Sequence, residues 1–527
     1  MTERTIADLL RSAEPREPLL LGSLLDRLQV TGPAAEIAIR GVTNDSRAVV
    51  PGSLFVAIPG AHTDGHDHLA SAAEGGAAAA LVERAVPGSD LPQVIVPSTQ
   101  HALATAAAWW YRDPSHELLT IGITGTDGKT TTSYLAVAAL EAAGIRTGML
   151  GTAGLRIGGV DEPNPEHATT PDAPILQRAL RAMLVAGDGA AVVETTSHGL
   201  ALERVGSVAY DVAILTNVTH EHLEFHGSWE AYRDAKLSLF ERLAVTPANP
   251  QKPWAMTWPR TAVVNVDDPS AERFVRAATS AGAAALTYGL DRSAKVHATR
   301  VEEDERSLSF EYDAPSGNGT VRLQLGGRFN VHNALAVLAL GEALDLDPAA
   351  VRRGLESVEG IPGRMERVDL GQPFTAIVDY AHSPASLQTV LDGLRPTTVA
   401  RGGGLIAVFG SAGERDTAKR PEMGRIAAER SRLVVVTDED PRDEDRDAIN
   451  EAIAAGAEAA GAVRGQGLLV IADRRSAIAA ALEQARPGDT VLFAGKGHER
   501  SIIGPTGPTS WDERGEVEAA LRTLGYG

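Results

Sequence analysis

The sequence contains no cysteine. That absence excludes disulfide frameworks, Cys-ligated zinc, iron-sulfur clusters and thiol nucleophiles, so metal or covalent chemistry must use oxygen and nitrogen groups. Positive charge is scarce too: 49 Lys and Arg stand against 69 Asp and Glu, a formal net charge of -20 at pH 7. A balance this acidic argues against a polyanion as the main partner, so no nucleic acid partner is expected, while a local basic pocket for one phosphate ligand remains open. Long hydrophobic runs are missing as well. No stretch reaches the roughly 18 apolar residues of a membrane span, and Met1 to Leu10 carries Glu3, Arg4 and Asp8 instead of a signal-type apolar segment. A cytoplasmic chain with no transmembrane segment is expected. There is no internal repeat and no long low-complexity tract.

What is present is the composition of an ordinary globular protein, 43% hydrophobic and 22% charged, enough to bury real cores. With 527 residues and roughly 100 to 200 per domain, three domains are expected. Short Val, Ile and Leu-rich runs alternate with Ala-rich helical stretches, the pattern of an α/β fold with parallel sheets. The clearest strands are Leu118 to Thr124, Ala190 to Glu194, Val212 to Thr216, Ala262 to Val266, Thr375 to Asp379, Leu405 to Phe409, Leu433 to Thr437 and Val491 to Ala494. Ligands bind beyond the carboxyl ends of such strands, which marks one central and one C-terminal rim. A shorter strand, Leu54 to Ile58, lies between Pro-Gly turns in a weaker N-terminal pattern. Breaks near Tyr111 to His116 and Gly360 to Gly363 give boundaries at 1–115, 116–360 and 361–527. Thr246 to Arg260, with four prolines, reads as a surface loop inside the middle segment.

The strand ending at Thr124 runs into Gly125-Thr126-Asp127-Gly128-Lys129-Thr130-Thr131-Thr132 and then a helical stretch. Glycines let backbone amides approach phosphate oxygens, the helix N-terminus adds its dipole, Lys129 can reach the outer phosphates and the Thr130 hydroxyl can sit on Mg²⁺. The spacing departs from the standard Walker pattern, with only two residues between Gly125 and Gly128. A tight turn with a solvated lysine is the alternative; a nucleoside triphosphate is the favoured ligand. Glu194 and His222 follow the next two strands, and Glu194 with Thr130 makes a credible site for nucleotide-bound Mg²⁺. His222 reads equally well as a hydrogen-bonded polar residue near a helix start, and zinc is the weaker metal reading. Lys236, taken alone, reads as a solvated helix lysine.

The phosphate loop, Glu194 to His198, Asn217 to His222, the Lys236 segment, Arg328 to Ala334, Pro362 to Glu366 and Asp379 to His382 together resemble the Mur ligase family across essentially the whole chain. Asp45-Ser46-Arg47, Thr169-Thr170-Pro171, Gly413 to Asp416 with Lys419 to Pro421, and Ala494 to Glu499 resemble its diamino acid-adding members. The resemblance implies a small N-terminal UDP-sugar-binding domain, a central P-loop-like ATPase domain and a C-terminal Rossmann-like domain that binds the amino acid. It implies an ATP-dependent ligase that adds meso-diaminopimelate, L-lysine or L-ornithine to UDP-N-acetylmuramoyl-L-alanyl-D-glutamate through an acyl phosphate, in peptidoglycan precursor synthesis. A monomer is expected.

Residue by residue, the resemblance implies ATP contacts at Gly125, Thr126, Asp127, Gly128, Lys129, Thr130 and Thr131, with Asn333 near the adenine and Arg364 and Asp379 at phosphate or ribose. Magnesium would be held by Thr130, Glu194, His222 and Lys236, the last as a CO₂-derived carbamate; Lys129, Lys236, His222 and Arg364 would carry the catalysis. The UDP-sugar dipeptide would lie on Ser46, Thr169, Thr170, Thr196 and Arg204, and the diamino acid on Arg415, Glu439, Asp440, Arg442, Gly495 and Glu499. The chain departs from the family pattern at Thr196 for Ser, Leu202 for Gln, Glu221 and Glu224 for Asp, and Glu439-Asp440 for Asp-Asn. Arg415 and Arg442 suit a distal carboxylate, Asp440 and Glu499 an ammonium, and an Asp440–Arg442 pair would leave a site for a basic side chain alone. The rival readings are a folylpolyglutamate synthase-like ligase and a non-catalytic nucleotide-binding homologue.

Overall fold

The structure, a computed structural model, describes residues 4–32, 35–60, 63–164, 168–219, 221, 223–244, 260–303 and 307–527. Most of the expected loop Thr246 to Arg260, and His222, lie outside the described residues. The chain groups into two compact units, Met1–His297 with Asp313–Gly317 and His332–Gly354, and Ala298–Tyr312 with Asn318–Val331 and Leu355–Gly527. The N-terminal segment and most of the central one thus share the first unit.

The first unit begins with a four-stranded parallel sheet in chain order, Gly41–Thr43, Ser53–Val56, Ala79–Val82 and Gln93–Ile95. Helix Thr99–Trp110, capped by the Ser98 hydroxyl, buries Ala102, Leu103, Ala106, Trp109 and Trp110 in a core shared with Leu54 and Leu81 of that sheet. The central sheet of this unit is parallel through Thr147–Leu150, Ala190–Glu194, Leu119–Thr124, Val212–Leu215, Thr261–Asn265 and Ala284–Gly289, in that spatial order. Both faces of these strands are covered, which explains why they read as continuous apolar runs and not as alternating ones. The antiparallel strands Leu155–Ile157 and Val160–Glu162 close one edge. The strand of this sheet that comes first in the chain, Leu119–Thr124, sits between Ala190–Glu194 and Val212–Leu215. The connections therefore leave it in opposite directions, and the crevice at its carboxyl end is where such sheets bind ligands.

The second unit holds a six-stranded sheet ordered Glu366–Val368, Thr375–Asp379, Thr490–Ala494, Leu405–Phe409, Leu433–Val436 and Leu468–Val470, parallel except for the first strand. All eight strands expected from the apolar runs occur, each within one residue of its expected ends. Among the described residues no helix is long and apolar enough to cross a membrane.

Helices Lys419–Arg430 and Arg446–Ala459 cross with backbone nearly touching backbone. A Cβ added at Gly456 would run into the Pro421 carbonyl oxygen, and one at Gly424 into that of Ile453. Gly456→Ala is expected to lower stability by about 1–3 kcal/mol through overpacking, read as a lower Tm in thermal denaturation. An unchanged Tm would mean that the helices separate at no cost.

Candidate active site

The three adjacent strand ends at Thr124, Glu194 and Leu215 bring their following loops together. Thr126 N–H donates to the Asn217 carbonyl at 2.8 Å, Asp127 N–H to Asn217 Oδ1 at 3.0 Å, and the Thr216 hydroxyl to the Asp127 carbonyl at 2.6 Å, so the glycine loop is pinned to the neighbouring strand end. Gly125 has φ 153° and Gly128 φ 83°, conformations that L side chains rarely adopt. Beyond Gly128 helix Lys129–Ala142 begins, so its first amides and positive dipole end face the loop. Lys129 Nζ folds back to donate to the Gly125 and Thr126 carbonyls, at 2.9 and 2.7 Å. Asn333, the expected adenine neighbour, lies against this loop: its Oδ1 accepts the Thr132 hydroxyl at 3.2 Å.

Beneath the loop lies Lys236. It sits on helix Trp229–Glu241 with 2% exposure, its Nζ donating to the Gly125 carbonyl at 2.8 Å and lying 4.3 Å from the Tyr232 ring centre. The solvated-lysine reading is thereby corrected: the side chain points into the fold because Tyr232, Leu239 and Phe240 of the same helix are buried beside it. Burial, reinforced by nearby Lys129, holds the Lys236 pKa well below its ordinary value and favours the uncharged amine. Tyr232 links this amine to the loop, its hydroxyl 2.9 Å from Thr126 Oγ1 and 3.2 Å from Glu221 Oε2.

Glu194, also fully buried, accepts the Thr130 hydroxyl at 3.1 Å and the Thr152 hydroxyl at 2.7 Å on Oε2, and the Thr152 N–H at 3.1 Å on Oε1. A carboxylate beside a threonine hydroxyl at a phosphate loop is an oxygen donor set that fits Mg²⁺, which takes one or two protein ligands and completes its shell with water and phosphate. Among the described residues no group of three or more His, Asp or Glu could hold a metal by itself.

The backbone of Glu194 joins a second cluster. Its carbonyl accepts the Thr170 hydroxyl at 2.8 Å; Thr170 Oγ1 also accepts the Thr196 N–H and lies 3.0 Å from the Thr196 hydroxyl. Thr169 Oγ1 is 2.9 Å from Thr152 Oγ1, and Arg204 reaches the Thr170 carbonyl and the Asp172 carboxylate, each at 2.9 Å. Asn44, two residues before Ser46, donates to Asp172 at 3.2 Å, so the N-terminal loop closes on the same threonines. Thr152, Asp172 and Asn44 carry no motif of their own, and the sequence reading missed them.

In the second unit, Asp379 accepts the Met365 and Ala381 N–H groups, both at 2.8 Å, and the Arg364 guanidinium lies 4.8 Å from the Tyr380 ring centre. Glu439, Asp440, Gly495 and Glu499 come together beyond strands Leu433–Val436 and Thr490–Ala494, with Arg442 two residues after Asp440 on the same loop; Arg415 is exposed on the loop after Leu405–Phe409. The Asp440–Arg442 pair, one of the two alternatives left open by the sequence, does not form. Asp440 pairs instead with Lys496 at 2.8 Å, while the Arg442 N–H donates to the Ile503 carbonyl and its Nε is buried without a partner. Lys496 also meets Glu499 at 2.5 Å, and was not singled out from sequence.

Three family models match the chain: "Mur ligase family, catalytic domain" over residues 38–111, "Mur ligase middle domain" over 123–341 and "Mur ligase, glutamate ligase domain" over 363–497. A UDP-N-acetylmuramyl-tripeptide synthetase of Roseiflexus sp. is 48% identical over 94% of this chain and 97% of its own length. A UDP-N-acetylmuramoyl-L-alanyl-D-glutamate–2,6-diaminopimelate ligase of Geobacter metallireducens is 39% identical over 94% of this chain and 96% of its own. A solved structure of such a 2,6-diaminopimelate ligase superposes with TM-score 0.65 at 28% identity, covering 97% of this chain and all of that one. A folylpolyglutamate synthase of Mycobacterium tuberculosis shares the fold at TM-score 0.58 and 19% identity, covering 80% of this chain and 94% of that one.

Gly128→Ala puts a side chain at φ 83° with its Cβ 2.5 Å from Asn333 Oδ1. The expected result is a loss of about 1–2 kcal/mol of stability and at least about tenfold weaker nucleotide binding, since loop and Asn333 must both shift. Thermal denaturation and isothermal titration with ATP check it.

Proposed function

The chain belongs to the Mur ligase family, and on that premise we propose that it is the ATP-dependent ligase that joins a diamino acid to UDP-N-acetylmuramoyl-L-alanyl-D-glutamate in cytoplasmic peptidoglycan precursor synthesis. Its three parts would be 1–115 for the UDP-sugar, 116–360 for ATP and 361–527 for the amino acid. The observation that carries the reading is the position of Glu194. Its side chain holds Thr130 of the phosphate loop and its backbone carbonyl holds Thr170 of the second cluster, so a phosphoryl donor and a carboxylate acceptor would meet across one residue.

The substrate carboxylate oxygen attacks the γ-phosphorus of ATP, ADP leaves, and an acyl phosphate forms. The amine nitrogen then attacks the acyl carbon, the bond to phosphate breaks, and the nitrogen gives up its proton as the amide forms. Lys129, with its ammonium at the mouth of the loop, and the first amides of helix Lys129–Ala142 would neutralise charge on the transferred group. Arg364 and Asp379 are assigned to ATP by the family pattern alone. Thr130 and Glu194 would hold Mg²⁺, which when bound supplies positive charge to the phosphates. Lys236 would serve as a carbamate, and its uncharged amine is the form that adds CO₂ with loss of a proton. His222 belongs to the same assignment and lies outside the described residues.

The folylpolyglutamate synthase reading is the weaker one. The family match over residues 38–111 and the Asn44–Asp172 contact give this chain an N-terminal module directed at the threonine cluster.

The test offers ATP, Mg²⁺ and the UDP-sugar dipeptide with meso-diaminopimelate, L-lysine or L-ornithine in parallel. ADP release is expected only when dipeptide and an accepted diamino acid are both present. Lys129→Ala is expected to cut the rate by about a hundredfold or more while the dipeptide still binds. Incorporation of none of the three, with L-glutamate added to a folate, would overturn the assignment.

A further inference from the structure

Lys496 has 0% side-chain exposure and lies just past strand Thr490–Ala494, between Gly495 and Gly497, which have φ 100° and 48°. Its Nζ reaches Asp440 Oδ1 at 2.8 Å and Glu499 Oε2 at 2.5 Å, tying a loop that follows one strand to a loop that follows another 56 residues away. Asp440 Oδ1 also accepts the Ile503 N–H at 2.9 Å, and Glu499 Oε1 the Tyr380 hydroxyl at 3.4 Å. Arg474 fixes the same two strand ends from behind, donating to the Asp438 carbonyl at 3.0 Å and the Ala494 carbonyl at 2.8 Å, with its charge met by buried Glu513.

Lys496 thus pairs with Asp440 and Glu499, while Glu439, whose Oε2 would lie 3.2 Å from a Cβ added at Gly495, takes no part in these ion pairs, so three carboxylates stand beside the one ammonium. Glu439 is 6% exposed and its Oε2 is buried with no hydrogen-bond partner. A buried carboxylate oxygen is costly unless a donor reaches it, so the cluster is complementary to one more cation.

We propose that Lys496 is a positioning residue for the amino-acid substrate: it clamps Asp440 and Glu499 in one geometry and leaves Glu439 as the carboxylate that receives the substrate's side-chain ammonium. The inference rests on the ligase reading above. Without Lys496 the three carboxylates repel one another, the loops spread, and protonation removes the charge that the ammonium needs. Burial alone opposes a charged Lys496, yet Glu499 and Asp440 raise its pKa above the ordinary value.

Steady-state kinetics with the diamino acid the wild type uses test it. Lys496→Met is expected to raise KM for that amino acid about tenfold or more, with kcat changed less and KM for ATP and the UDP-sugar dipeptide held within about twofold. Adding Asp440→Asn to Lys496→Met is expected to recover part of the loss, because it removes an uncompensated carboxylate; Lys496→Arg, which keeps the charge, is expected to fall between wild type and Lys496→Met. An unchanged amino-acid KM in Lys496→Met overturns the proposal. So does an equal rise in all three KM values, or a double variant no better than the single one. If Lys496→Met does not fold, the Lys496→Arg variant decides: a rise confined to the amino-acid KM supports the role, and no rise or a uniform one overturns it. If the wild type ligates no diamino acid at all, the ligase reading fails instead.

Discussion

A lysine amine buried beneath a phosphate loop is the constraint around which the first unit is built. The Gly125 carbonyl accepts hydrogen bonds from both Lys236 and Lys129, one below the loop and one folded over it. Two ammonium groups that close repel each other, and taking one of them out of water costs several kcal/mol more. Burial and the nearby Lys129 ammonium therefore hold the pKa of the lower amine well below its ordinary value, which favours the uncharged form. An amine in its uncharged form beneath the loop, at the Gly125 carbonyl and the Tyr232 ring, has chemistry open to it that a solvated ammonium lacks, and reaction with CO₂ would turn a potential cation into an anion of the kind a divalent metal takes as a ligand.

The scaffold for this is the order of the strands. Because Leu119–Thr124 lies between strands that come later in the chain, its loop is flanked on both sides by loops rich in Thr, Asn and Glu. Glu194 is where they converge, bonded to Thr130 and Thr152 by its side chain and to Thr170 by its carbonyl. The second unit uses charge differently. There Arg474 and Lys496 are buried as cations, each held by carboxylates, and they fix loops that strand pairing alone would leave loose.

The strands were legible because each is buried on both faces and so appears as an unbroken apolar run, and the phosphate loop because glycine, lysine and threonine have separate tasks at fixed spacing. Glu194 reads as a Mg²⁺ ligand from its place at a strand end beside the phosphate loop, whereas the roles of Thr170 and Asp440 come from a resemblance. Lys236 was misread from local pattern because helical periodicity sorts apolar from polar residues and assigns every lysine to water. Its burial depends on a carbonyl 111 residues earlier. Asn333 meets Thr132 across 201 residues and Asp440 meets Lys496 across 56, so their partners could not be found by spacing. The cation nearer in sequence, Arg442, is one open choice of partner for Asp440, but it stands at φ 56° with its backbone N–H committed to the Ile503 carbonyl.

The proposed function depends most on the carbamate assigned to the amine of Lys236. Carbon-13 NMR of the full chain equilibrated with labelled bicarbonate tests it most directly. The expected result is one carbamate resonance per chain, absent in Lys236→Ala, which fades together with ligase activity when CO₂ is removed. A fully active protein with no such resonance would contradict it.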